Sequence, residues 1–213
     1  MKCFIRLITA LLLISTSNAY SNETALYDPQ VKANEALVRV LNLTEHSIVA
    51  NFVSVNKKIN NTASFTFSSY IRVRAGQNNF SINGHELSID VKQGQFYTVV
   101  TKPDGNLTFA VDKKINKKGK SMIAVYNYSK AKTLSLKTAN GKVTIIENVK
   151  PNATGYREIN ALSINMGIFE DTTKVRETNK QHLQKDKIKN IAIIDASDGV
   201  AIAISSSQIN TRM

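Results

Sequence analysis

The side chains able to do acid–base, nucleophilic or metal chemistry are few and poorly placed for it in this 213-residue chain. Three histidines, His46, His85 and His182, stand far apart, so spacing makes no metal-ligand pair of them and each reads as a turn or surface residue. Serines abound, but no Gly-x-Ser-x-Gly elbow and no Asp-x-x-His accompanies them. A serine without a positioned base is not a nucleophile. An esterase or acetyltransferase would therefore need a serine activated by one of these histidines from a distant part of the chain. The adjacent carboxylates Glu170 and Asp171 would point to opposite faces of a strand. No glycine loop suited to cradling phosphate occurs. The sequence argues against an enzyme, and no metal or cofactor is expected.

Cationic groups offer more. The stretch "DKKINKKGK", residues 112–120, holds Lys113, Lys114, Lys117, Lys118 and Lys120, and the whole chain carries a formal net charge of +12. In "SSYIRVRAG" (68–76), strand geometry would put Tyr70, Arg72 and Arg74 on one face, a basic and aromatic surface. Both sets are candidates for contact with a polyanion or a partner. For the lysines, the local expectation is an extended, solvated connection kept open by mutual repulsion.

The compartment narrows the polyanion. "MKCFIRLITALLLISTSNAY" has a positive start at Lys2 and Arg6, an apolar run from Leu7 to Ile14, and small residues up to Ala19. That pattern predicts a signal peptide over residues 1–19, cleaved after Ala19 for export to the periplasm. The run is too short for an ordinary membrane-spanning helix, and no later stretch approaches that length. Loss of Lys2 and Arg6 would lower the net charge by two, to +10. Cys3 would leave with the signal, so disulfides, thiolate catalysis and cysteine–zinc sites are excluded together. An exported basic protein does not meet the genome. Acidic polysaccharide, acidic lipid headgroups or an acidic protein are the expected partners rather than nucleic acid. Asn-x-Ser/Thr acceptors, such as those at Asn42, Asn106 and Asn127, matter only in a eukaryotic secretory route.

The elements that must carry these side chains are strands. "ELSIDV" (86–91) puts Leu87, Ile89 and Val91 on one face; "KTLSLKT" (132–138) does so with Leu134 and Leu136, and "LSINMGIF" (162–169) with Ile164, Met166 and Ile168. Turn signals at Asn83-Gly84, Asp104-Gly105, Asn140-Gly141 and Asp198-Gly199 separate them. Only residues 174–189 have a composition compatible with a short polar helix. The chain also repeats itself. "VLNLT" (40–44) matches "VYNYS" (125–129), and "YTVVTKPDGNLTFAV" (97–111) aligns without gaps with "NIAIIDASDGVAIAI" (191–205). The two matches fall in the same order, which predicts a tandem duplication. The expected architecture is all-β: two tandem small antiparallel β-sandwiches, immunoglobulin-like or carbohydrate-binding-module-like, after a signal peptide. The expected boundaries are 1–19 signal, 20–34 N-terminal segment, 35–112 first sandwich, 113–120 Lys-rich linker and 121–213 second sandwich.

A family resemblance rests on "ALYDP" (25–29), "EALVRVLNLT" (35–44), "FYTVV" (96–100), "AVYNYS" (124–129), "LSLKTANGK" (134–142) and "YREIN" (156–160), in this order and spacing. With them the chain resembles the AlgF family of periplasmic alginate biosynthesis proteins required for O-acetylation of the polysaccharide. Asn140 stands where the family's turn has an aspartate, and either residue suits that turn. The chain is also poorer in Gly and Pro and richer in Lys, Asn and Ile than its relatives, which leaves open which acetylated polymer it serves. The resemblance implies no catalytic residues. It implies partners instead: a membrane acyl-transfer protein that delivers acetyl groups, and periplasmic acetyltransferases of the serine-esterase kind, with this chain as adaptor between them. The alternative expectation is a module that binds a polyanionic polysaccharide.

Overall fold

In the computed structural model of the chain, residues 31–130, 132–197 and 199–207 are described. The predicted signal peptide, "ALYDP" and Asp198 lie outside them. The first half contains β1 (Glu35–Asn42), β2 (Ile48–Phe52), β3 (Lys57–Thr62), β4 (Thr66–Phe67), β5 (Ile71–Arg74), β6 (Gly76–Ile82), β7 (His85–Val91), β8 (Phe96–Thr101) and β9 (Leu107–Asp112). The second contains β10 (Lys120–Asn127), β11 (Leu134–Thr138), β12 (Thr144–Val149), β13 (Ala153–Asn160), β14 (Ser163–Ile164), β15 (Met166–Glu170), β16 (Thr173–Glu177), β17 (Gln181–His182), β18 (Ile188–Ala196) and β19 (Gly199–Ser206). The protein is all-β: no α-helix occurs among the described residues. Residues 174–189 form β16, the short β17 and the start of β18, because β16 is needed to extend the sheet of β15.

Four sheets stack as layers. An outer sheet ordered β3-β2-β6-β7 covers an inner sheet ordered β4-β1-β8-β9, to which β5 adds by pairing with β1. A second inner sheet, β13-β10-β18-β19, is covered by the outer sheet β12-β11-β15-β16. Three cores lie between the four layers. The first draws on residues 36–99 only, including Val38, Phe52, Phe80 and Val99. Another draws on residues 123–200 only, including Ile123, Leu136, Ile168 and Ile193. The third joins the inner sheets, with Leu41, Leu43 and Val100 from the first half against Ala124, Tyr126, Ala192 and Ile194 from the second.

This stacking explains the two strands whose sequences do not alternate. In β1 ("EALVRVLN") and β10 ("KSMIAVYN") every residue after the first is buried. A strand in a middle layer has no solvent face, and its sequence becomes a nearly continuous apolar run. Both also pair in parallel, β1 with β8 and β10 with β18, whereas the other pairings are antiparallel. The outer strand β7 alternates as the sequence predicts, with Ile89 and Val91 buried while Glu86, Ser88 and Asp90 are exposed; the predicted strand at 162–169 instead splits into β14 and β15, and Met166, Gly167, Ile168 and Phe169 are all buried. Asn83 (φ 50°) and Gly84 (φ 83°) close the β6–β7 hairpin in the left-handed region that a two-residue turn requires.

The internal repeat is structural. Asn42 and Asn127 are each fully buried at the end of equivalent strands. The Asn42 amide donates to the carbonyls of His46, Thr62 and Ala63, and its oxygen accepts from the Thr44 amide and hydroxyl. Asn127 donates to the carbonyls of Lys132 and Val149, and accepts from the Ser129 amide and hydroxyl. The motif Asn-x-Ser/Thr at these positions is thus a buried strand terminator, withdrawn from solvent.

Candidate functional site

The densest polar cluster lies between the inner sheets, around a residue the sequence did not single out. Arg39, in the middle of β1, is 1% exposed. Its Nε donates to Thr98 Oγ1 (2.8 Å), Nη1 to Ser207 Oγ (3.2 Å), and Nη2 to the Tyr126 hydroxyl (2.7 Å) and Asn190 Oδ1 (3.0 Å). Phe67 and Tyr70 flank the guanidinium, each ring centroid 4.5 Å from Cζ. Asp112 lies 3.8 Å away. Its carboxylate accepts hydroxyl bonds from Tyr70 (2.7 Å), Thr98 (2.6 Å) and Tyr126 (2.6 Å). Burial pushes the Tyr70 and Tyr126 phenols well above their ordinary range; Arg39 opposes and Asp112 reinforces the shift. Both therefore remain neutral donors. Perturbed buried groups often mark active sites, but this cluster is enclosed by apolar side chains and internally satisfied. Its chemistry is cohesion. A lone arginine inside the apolar run "ALVRVL" was the signal for it, since a buried charge needs a complete set of partners.

Tyr70 corrects a sequence expectation. It is 2% exposed and turned into this cluster, so it does not share an outer face with the arginines. The cause is β5's position in an inner sheet, which leaves no free face on that side. Arg72 is half-buried beside Glu35 (3.5 Å), and Arg74 is exposed. Both line an open basin of about 760 Å³ with Lys32 and Lys57, and Glu35 is the one acidic residue among its walls.

Lys113, Lys114, Lys117 and Lys118 are exposed between β9 and β10, while Lys120 is half-buried as the first residue of β10 and donates to Asn160 Oδ1 (2.6 Å). Lys113 Nζ lies 5.5 Å from the Tyr156 ring centroid and Lys114 Nζ 5.1 Å from that of Phe96. The segment is tied down through its backbone: the Asn116 amide donates to Glu158, and that of Gly119 to Asp186. Cross-strand register puts Arg72, Leu37 and Phe96 in one row on the same face, so Arg72, on β5, and Lys114, just past β9 on the opposite side, lie toward the same end of the inner sheet. Parts of the two cationic sets thus lie toward one end of one sheet, on its opposite sides.

His46 and His85 are exposed. His182 is exposed too, but its Nδ1 lies 2.6 Å from Ser163 Oγ, opposite it in the two-stranded β14–β17 pair. This is a serine–histidine contact that no sequence motif announced. No carboxylate bonds the ring, and no buried cavity receives the pair among the described residues. No group of three metal-ligating side chains occurs among them either.

The described residues define a four-layered β protein whose buried Arg39–Asp112 cluster is internally hydrogen-bonded and whose cationic groups are spread over open surface. Comparison with known proteins specifies it further. The family model described as "Alginate O-acetyl transferase AlgF" matches residues 9–190, and the chain belongs to the AlgF family, whose members take part in alginate biosynthesis. The alginate biosynthesis protein AlgF of Pseudomonas aeruginosa is 28% identical over 86% of this chain and 84% of its own length. That of Azotobacter vinelandii is 26% identical over 79% and 76%. Among solved structures, the C-terminal domain of AlgF from P. aeruginosa is 29% identical over 42% of this chain and 99% of that domain, with a TM-score of 0.38. The N-terminal domain is 18% identical over 38% and 95%, with a TM-score of 0.33.

Proposed function

We propose that this chain is a non-catalytic periplasmic accessory protein for O-acetylation of alginate or a related exopolysaccharide. It bridges a membrane partner that delivers acetyl groups and a periplasmic acetyltransferase. The observation that carries this reading is the enclosed Arg39–Asp112 cluster, which draws on β1, β8 and β9 from one half and β10 and β18 from the other. Two sandwiches fastened in this way present their outer surfaces at a fixed separation. Partners held on such a bracket meet at raised effective concentration, a contribution that needs no active site. Among the described residues the Ser163–His182 contact is the sole hydrogen-bonded serine–histidine pair, and it lacks the acid and the enclosed site that would activate it.

The test is the acetyl content of the secreted polymer, read by proton NMR. A strain lacking the gene should produce polymer with a reduced acetyl signal. Complementation with the natural chain, with Ser163→Ala or with His182→Ala should restore it equally. Restoration by the natural chain alone would make the protein an enzyme. An unchanged signal in the deletion strain would remove the acetylation role.

A second reading, direct binding of a polyanionic polysaccharide, is favoured by the exposed Lys113, Lys114, Lys117 and Lys118, and separately by the basin of Lys32, Lys57, Arg72 and Arg74. Salt separates the two readings, because polyanion contact weakens as ionic strength rises and an apolar interface does not.

A further inference from the structure

We propose that strand β9 is a docking edge for an extended segment of a partner protein, one that alternates apolar side chains and carries acidic residues where it reaches Lys113–Lys118. The inference rests on the adaptor reading and names the surface one partner would use.

β9 hydrogen-bonds to β8 alone among the described residues; β7 of the covering sheet lies near it, but no strand pairs with its other side. The direction of each backbone rung follows from the bonds on either side of β8. Leu37 and Leu43 amides donate to the Gln95 and Thr101 carbonyls, so the odd-numbered residues of β8 face β1. The Lys102 amide donates to the Asn106 carbonyl, so the even-numbered ones face β9. Alternation in an antiparallel pair then turns Thr108, Ala110 and Asp112 toward β8, and leaves Leu107, Phe109 and Val111 with outward amides and carbonyls. The Tyr156 hydroxyl, reaching the Val111 carbonyl at 3.2 Å from outside the sheet, agrees with this assignment. Among the described residues no other hydrogen bond reaches the outward groups of Leu107, Phe109 and Val111, so an incoming strand would find that one acceptor shared.

The same residues expose apolar side chains: Phe109 is 43% exposed and Val111 51%. Sheet edges are ordinarily protected by charge. β3 has Lys57 and Lys58, β7 has Glu86 and Asp90, β13 has Arg157 and Glu158, and β16 has Lys174 and Glu177. β19 carries no charge but has two strands of other sheets, β4 and β16, against it, where β9 has β7. On β9 the one charged residue, Asp112, is buried. Immediately beyond it stand four exposed lysines, none of them in an ion pair among the described residues. A strand laid along β9 would gain backbone bonds and apolar contacts first, then meet this positive end. The complement is an acidic terminus on the incoming strand. A second copy of this chain is a poor occupant, since it is itself strongly basic, with a net charge of +12 over the full sequence and +10 without Lys2 and Arg6.

The test places a photoreactive benzoyl-phenylalanine at position 109 of the full chain in the producing organism, with a control at position 53. The expected result is an adduct from position 109 to another polypeptide, mapped by mass spectrometry to an extended segment bearing Asp or Glu. Val111→Pro, which removes one outward donor from an edge position, should lower the adduct yield by up to about tenfold. Replacing Lys113, Lys114, Lys117 and Lys118 by Ser leaves the strand intact and should lower it as well. Adducts only to a second copy or to polysaccharide, no adduct, or an undiminished yield in the lysine variant would each overturn the proposal. A deletion strain with reduced polymer acetylation but no protein adduct from position 109 would sink the β9 edge and spare the adaptor reading. Unchanged acetylation in that strain would sink the adaptor reading itself.

Discussion

Arg39 Nη2 lies 2.7 Å from the hydroxyl of Tyr126, and that contact joins residues from opposite halves of the chain inside the protein. The guanidinium donates four hydrogen bonds, two to Tyr126 and Asn190 on the second inner sheet, one to Thr98 on its own and one to Ser207. A buried charge is tolerable only when such a set is complete. Sliding one sheet over the other would break several of these bonds at once, so the cluster specifies a single arrangement of the halves where apolar packing alone would allow neighbouring ones.

Removing one member of the pair should therefore cost more than removing both. Arg39→Met leaves the Asp112 carboxylate buried without its counter-ion, and the expected loss is about 3–5 kcal/mol. Adding Asp112→Asn to it should recover part of that loss. Urea unfolding followed by tyrosine fluorescence checks both outcomes, and in Arg39→Met a single transition should separate into two as the halves uncouple.

Stability should also fall in alkali. Burial raises the phenols of Tyr70, Tyr126, Tyr128 and Tyr156, with Asp112 adding to the shift in each. In the unfolded chain a tyrosine loses its proton near pH 10. Above that pH the folded state holds more protons than the unfolded one, so the stability present below pH 10 is progressively lost as pH climbs toward the folded values. Melting temperatures between pH 8 and 11.5 should drop above pH 10, and absorbance at 295 nm should show these phenolates appearing together with unfolding. Tyr126→Phe should reduce the slope.

The paired asparagines offer a test of the repeat. Asn42 and Asn127 each donate to a buried backbone carbonyl, of Thr62 and Val149 respectively. Asn42→Ala and Asn127→Ala should each cost about 1–3 kcal/mol in chemical denaturation, the cost of leaving buried groups unsatisfied. Unequal effects, with one variant near zero, would mean that the two copies no longer use the motif alike.

The outer strand β7 was legible because it has a solvent face: Leu87, Ile89 and Val91 alternate with polar neighbours as a half-buried strand must, whereas β15 is buried over four consecutive residues. The repeat was legible too, since Asn42 and Asn127 sit in matching sequence and matching bonds. Less visible was the layering. β1 and β10 lack alternation because both their faces are covered, and an apolar run does not say which sheets cover it. For the same reason Tyr70 was placed on a surface, and Arg39 went unnoticed in its apolar run. The Ser163–His182 contact depends on the register of two-residue strands, which no local pattern encodes.

The exposed lysines yield the last prediction. If a polyuronate binds there, each contact between an exposed ammonium and a carboxylate contributes about 0.2–1 kcal/mol. Replacing Lys113, Lys114, Lys117 and Lys118 by Ser should then weaken binding of an oligomannuronate by about 1–4 kcal/mol at low salt, read by calorimetry. At about 0.5 M salt the natural and substituted chains should converge, because screening removes most of the attraction between exposed charges. Arg72→Gln with Arg74→Gln tests the basin separately. Loss of binding in that variant and none in the lysine variant would move polymer contact to the basin, leaving the lysines free to face the partner strand on β9.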